Sequence, residues 1–163
     1  VVSNMLGHVL YSIPETDNGS ISDDGKFISL RLKQARKSTI NVKMNGDVPV
    51  INIKIFLEGD ILSIDGDKDY FAGEELKELE KYAGEYMRKE VVNFLEKTRS
   101  EFKSDICGTG RVLKRTFLIW DEWLNFRWSD KYGKAEFEVS AKVSVRRTGM
   151  TIKQVPAANL KGD

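Results

Sequence analysis

The sequence predicts an α+β domain: a mainly antiparallel sheet of about four or five strands, with one long amphipathic helix and two shorter helices packed on one face. Three observations carry this. Apolar and polar residues alternate between Ile28 and Leu57, the apolar period changes to three and four residues between Leu76 and Phe102, and alternation returns between Phe137 and Val145. Alternation puts every second side chain on one face of a strand, and steps of three and four put them on one stripe of a helix. Strands, then helices, then a closing strand is the order of a sheet with helices segregated to one face.

Leu6 to Ile13 is a short apolar run stopped by Pro14, and Asp17, Asn18, Gly19, Asp23, Asp24 and Gly25 after it are turn formers, so a strand and then an exposed loop are expected. Ile28, Leu30 and Leu32 alternate with Ser29, Arg31 and Lys33, and Ile40, Val42 and Met44 alternate with Asn41 and Lys43, giving two half-buried strands. Asn45-Gly46-Asp47 turns the chain into Ile51, Ile53, Ile55 and Leu57, the strongest hairpin signal in the sequence. A slip of one residue would exchange Ile53 for Lys54 in the core, which fixes the register.

Leu76, Leu79, Ala83, Met87, Val91, Phe94, Leu95, Thr98 and Phe102 trace one helical stripe. Glu74 and Glu75 oppose the positive end of its dipole, and Gly108 and Gly110 punctuate its far end. Arg111 to Phe117 and Ile119 to Trp128 read as the two shorter helices, and the strict alternation from Phe137 to Val145 reads as the closing strand.

Composition narrows the function. The chain has 163 residues, enough to bury a core without disulfides or a structural metal. Hydrophobic residues at 40% and charged residues at 31% are those of a folded globular domain, and one domain spanning 1–163 is expected. A net charge of +1 gives no general field for nucleic acid or anionic lipid, so recognition has to be local. The longest apolar stretch, near Val48 to Leu57, is interrupted by Asn52 and Lys54 and is too short to span a bilayer.

Catalytic and cofactor signals are weak. The one histidine, His8, stands about a hundred residues from the one cysteine, Cys107, and a lone cysteine behind an amphipathic helix reads as a packed hydrophobe. Asp65, Asp67 and Asp69 are spaced like the start of a calcium loop, but Tyr70 and Leu76 occupy the positions where that loop needs glycine and a bidentate glutamate. Gly108-Thr109-Gly110 lacks the rest of a phosphate-binding loop and reads as a helix terminator. Trp120, Trp123 and Trp128 lie near Arg111, Lys114, Arg115 and Arg127, but the interleaved Asp121 and Glu122 weigh against nucleic acid. No catalytic residue, metal site or cofactor is expected.

One stretch is distinctive: Phe94-Leu95-Glu96-Lys97-Thr98-Arg99-Ser100-Glu101-Phe102-Lys103-Ser104-Asp105-Ile106-Cys107-Gly108-Thr109-Gly110, followed by Trp120, Trp123 and Val143-Ser144-Val145-Arg146-Arg147-Thr148-Gly149. It resembles the C-terminal domain of the Ger(x)C family, the C subunits of the nutrient germinant receptors of endospore-forming bacteria. The resemblance covers roughly the second half of the chain. It implies that 1–163 is the C-terminal domain of a larger lipoprotein whose N-terminal region is absent here. That lipoprotein would be held by an N-terminal lipid on the outer face of the spore inner membrane, beside membrane-embedded A and B subunits. It implies a non-enzymatic part in germination and carries over no catalytic residue. Asp105, Trp120, Trp123, Arg146 and Arg147 form the expected partner surface. Two functions stay open: a scaffold with an apolar or mixed surface patch, and a germinant-binding module with a concave pocket and convergent polar groups.

Overall fold

The computed structural model describes residues 9–14, 16–17, 20–21, 27–64 and 73–146. His8, Asp65, Asp67, Asp69 and Arg147 lie outside them. The elements are β1 (Val9–Pro14), β2 (Thr16–Asp17), β3 (Ser20–Ile21), β4 (Phe27–Asn45), β5 (Val48–Ile64), α1 (Gly73–Ser100), α2 (Gly110–Lys114), α3 (Trp120–Phe126), α4 (Trp128–Tyr132) and β6 (Glu136–Arg146). The α+β class holds. The main sheet has the order β1-β4-β5-β6, and β2 and β3 pair with each other in a separate two-stranded sheet.

Three expectations change. The two strands ending at Lys33 and Met44 are one strand, β4, which absorbs two extra residues between Gln34↔Leu57 and Ile40↔Ile53, so the polar interval bulges and the inward parity survives. The sheet is mixed, since β1–β4 and β4–β5 are antiparallel but β5–β6 is parallel. The helices carry the chain from Ile64 back to the start of β5, where Glu136 pairs with Val50, and a return of that kind sets the next strand parallel. Among the described residues the short helices number three, because Arg127 adopts φ 51, ψ 59 and divides the run between Trp120 and Tyr132.

The hairpin forms as expected. Gly46 and Asp47 connect Asn45↔Val48, and Gly46 takes the positive φ (58°) that such a turn needs. Ile28, Leu30 and Leu32 of β4 and Ile51, Ile53, Ile55 and Leu57 of β5 are buried on one face. Against them pack Leu79, Ala83, Met87 and Leu95 of α1, and full burial of a leucine or methionine side chain stabilises by about 1.5–3 kcal/mol.

α1 lies along the free edge of β6. A Cβ on Gly84 would sit 2.9 Å from the Ala141 carbonyl oxygen, and Glu80 Oε1 accepts the edge-facing N–H of Val145 at 2.8 Å. The helix therefore covers backbone groups that another strand would otherwise pair with. The opposite face of the sheet carries Arg31, Asn41, Lys54, Glu58, Lys142 and their neighbours, and is open.

The hairpin tip is tied to α4. Asp47 accepts from Lys131 Nζ and, at 2.9 Å, from Lys134 Nζ, and these contacts lower its carboxyl from 3.8 to about 2. A carboxylate with a depressed folded-state pKa stabilises above its ordinary pKa and loses that contribution as pH falls toward the folded value. Thermal unfolding recorded between about pH 4 and 2 should therefore show a steeper loss for wild type than for Asp47→Asn. Parallel curves would mean that the contact is without consequence for stability.

Candidate partner-docking site

The block from Ser104 to Gly110 has a structural task. α1 ends at Ser100, with Glu101 N and Phe102 N both donating to Lys97 O (2.9 and 3.1 Å), and Lys103 turns the chain at φ 47°. Asp105 then faces the start of α2. Its Oδ1 accepts from Thr109 N (2.9 Å), and its Oδ2 accepts from Gly110 N (2.7 Å) and Trp128 Nε1 (3.0 Å). Thr109, at the N-cap, makes no capping bond of its own, so Asp105 satisfies amides that the helix start leaves free.

The glycines complete the joint. Gly108 has φ +68, a left-handed conformation that side chains resist. A Cβ on Gly110 would lie 2.5 Å from Trp128 Nε1, so only glycine lets the indole reach Asp105. Below it, Thr98 Oγ1 donates to Leu95 O (2.6 Å) and lies 2.7 Å from Tyr132 Oη. With its one hydrogen used on Leu95, Thr98 accepts the phenol's proton. Burial is the main cause pushing the Tyr132 hydroxyl up to about 12.

From this joint an aromatic chain runs outward. Phe137 meets Tyr132 edge-on at 6.1 Å, Tyr132 meets Trp128 at 5.9 Å, Trp128 stacks on Trp123 at 6.4 Å, and Trp123 meets Phe117 edge-on at 5.5 Å. Phe126 closes the cluster, 5.0 Å from Phe117 and 6.0 Å from Trp123. Such contacts add about 0.5–1.5 kcal/mol each beyond area burial and give the segment a rigid base.

On this base stands an exposed apolar ridge. Leu118 is 98% exposed, Ile119 and Trp120 are each 56% exposed and Leu124 is 55% exposed. Trp120 and Leu124 are four residues apart on α3 and so share a face. Lys114 Nζ lies 3.9 Å from the Trp120 ring centroid, a cation–π contact that holds the indole against α2. Three consecutive exposed apolar residues are unusual on the surface of a folded domain.

The expected partner residues divide. Trp120 belongs to the ridge, whereas Trp123 is half-buried in its base. Asp105 is half-buried and its carboxylate is engaged by three donors of its own segment. Arg146 is exposed but bonds Glu58 Oε1 at 2.6 Å, at the far end of β6 from Tyr132, and makes no bridge to Asp105. Sequence reading missed Leu118, Ile119 and Leu124 as surface residues. The available signal was the unbroken run Phe117-Leu118-Ile119-Trp120 between two helices.

Small-ligand geometry is modest. A groove of about 420 Å³ follows the α1–β6 seam past Lys77, Lys81, Glu85, Arg88 and Lys142, and one of about 400 Å³ lies by Asp47, Arg127 and Lys131. Cys107 is buried, and burial pushes its thiol up to about 11, which keeps it protonated and poorly nucleophilic near neutrality. Among the described residues no group of three or more His, Cys, Asp or Glu converges for a metal, and no helix is long and apolar enough to cross a membrane.

Comparison with known proteins gives two positive findings. The family described as spore germination B3/GerAC like, C-terminal, matches residues 6–149. A solved structure, the crystal structure of the GerBC protein, superposes with a TM-score of 0.71 at 16% identity over 90% of this chain. The chain spans 43% of that protein's length. No curated protein matches.

Proposed function

Because the chain belongs to the spore germination B3/GerAC-like family, in its C-terminal part, we propose that it is a non-enzymatic assembly domain of a nutrient germinant receptor. In this reading residues 1–163 form one domain, the C-terminal part of a larger lipoprotein. The domain acts in spore germination on the outer face of the spore inner membrane and docks onto the membrane-embedded A and B subunits.

The ridge of Leu118, Ile119, Trp120 and Leu124 is the observation that carries this. Interfaces concentrate their energy in a few aromatic and apolar anchors that leave water on binding, and a rigid base reduces the ordering cost. The ridge has both properties, with Trp120 as anchor and the Phe117–Trp123–Phe126 cluster as base. The grooves by α1 and Asp47 are open and lined mostly by charged side chains, with Val139, Ala141 and Val143 the apolar part of the first and Phe126 that of the second, which favours docking over ligand capture.

A pull-down of the purified domain against detergent-solubilised A and B subunits tests this, with Leu118→Asp and Trp120→Ala alongside. Wild type should be retained, and each folded variant should bind about thirtyfold more weakly, since truncating an anchor costs about 2 kcal/mol or more. Failure of folded wild type to be retained would remove direct docking. Saturable heat on titration with germinants would then favour the ligand-binding reading.

A further inference from the structure

The open face of the sheet supports an inference that is independent of the ridge. The chain's net charge of +1 conceals an uneven distribution. On the outward side of the sheet, Arg36, Phe56 and Lys142 form one cross-strand row, and Thr39, Lys54 and Ser140 form the next. The Arg36 guanidinium lies 3.5 Å from the centroid of the Phe56 ring. Lys43 and Arg31 flank these rows along β4, in rows that also hold Glu136 and Asp60. Among the described residues none of these five cations makes an ion pair, whereas Lys33 and Arg146 share Glu58. Arg36, Lys54 and Lys142 stand on two adjacent rows that hold no carboxylate, between Glu58 on one side and Glu138 on the other, and like charges so placed repel, so an anion brought to these rows relieves a standing cost.

We propose that this face docks on an anionic lipid bilayer surface, with Arg36, Lys54 and Lys142 at the centre of the contact. Three observations favour a bilayer over other polyanions. No described element roofs the face, because α1, α2 and α4 lie on its core side. None of the large exposed apolar side chains projects from β4 or β6, and Leu62 of β5 is only 38% exposed, so the patch lacks the buried anchors on which a protein interface depends. Phe56 is half-buried with Arg36 over its ring, so it is not free to stack a base as single-strand binders require. What remains is delocalised positive charge on an open surface. Headgroups attract such charge without shape matching, and each cation near the surface strengthens binding about fivefold.

Co-sedimentation of the chain with vesicles tests this, using phosphatidylcholine vesicles with and without phosphatidylglycerol, and single- and double-stranded DNA oligonucleotides in parallel. Wild type should bind the anionic vesicles and not the neutral ones, and binding should fall steeply between about 50 and 300 mM salt. Lys54→Glu with Lys142→Glu should weaken binding more than about tenfold, and Lys54→Gln with Lys142→Gln by less. Lys89→Glu, on the exposed side of α1, should change it less than about twofold. Melting curves first establish that each variant is folded, and the neutral pair serves if the reversed pair is not. No vesicle binding by folded wild type, an equal loss with Lys89→Glu, or binding to DNA without binding to vesicles would each overturn the proposal.

Discussion

Replacing Asp105 with Ala is expected to lower the stability of the domain by about 3 kcal/mol and its melting temperature by about 10 °C. Three donors converge on this carboxylate: the amides of Thr109 and Gly110 and the indole N–H of Trp128. A hydrogen bond to a charged group contributes about 1.5–3 kcal/mol, and the half-exposed site lets water replace part of the loss. The damage extends beyond α2, because Trp128 links Asp105 to the aromatic chain beneath the ridge. Asp105→Asn keeps one acceptor oxygen and should recover about half of the loss. Denaturant titration of both variants measures the difference, and a loss below about 1 kcal/mol for the Ala variant would show that water satisfies these donors equally well.

Gly110→Ala is expected to cost about 2–3 kcal/mol, although alanine is the better helix former by about 1 kcal/mol. The new methyl would stand 2.5, 2.6 and 2.9 Å from Trp128 Nε1, Cδ1 and Cε2, closer than Cβ atoms approach other heavy atoms. The indole is held by Asp105 on one side and by Trp123 and Tyr132 on others, so it has little freedom to yield. Near-UV circular dichroism should change along with stability as Trp128 shifts. Gly133→Ala provides the contrast, since a Cβ there meets nothing nearer than Asp130 O at 3.6 Å and should leave both readouts close to wild type.

These effects bear on how much of the molecule was legible in the sequence. Side-chain period is a local property, so the hairpin of Ile40 to Leu57, the stripe from Leu76 and the alternation of β6 could all be read from it. Strand direction is not local. The pattern Phe137, Val139, Ala141, Val143, Val145 reads the same whether β6 runs with or against β5, and only the path of the helices decides. The interval Ala35-Arg36-Lys37-Ser38 reads as a gap, because a bulge suspends alternation without ending the strand. Arg127 carries no sign of the left-handed turn that separates α3 from α4.

The site was legible in part. Gly108 and Gly110 were readable as the stop of α1, but the reason for Gly110 is Trp128, eighteen positions on, and pattern does not register such a contact. Asp105 stands within the block that carries the family resemblance and is expected on a partner surface, whereas its donors come from its own loop and from Trp128. Helical spacing marked the tryptophans as one group, yet Trp123 and Trp128 form the base and Trp120 stands outside it. Leu118 and Ile119 read as helix or linker filling, because periodicity assigns apolar residues to a core and has no term for a tip with nothing above it.

The most direct test of ridge docking is photo-crosslinking in the assembled receptor, with a photoreactive residue at Leu118 and, separately, at Glu78 on the exposed face of α1. Docking through the ridge predicts an adduct with an A or B subunit from position 118 and none from position 78. No adduct from 118, or equal adducts from both positions, would contradict it.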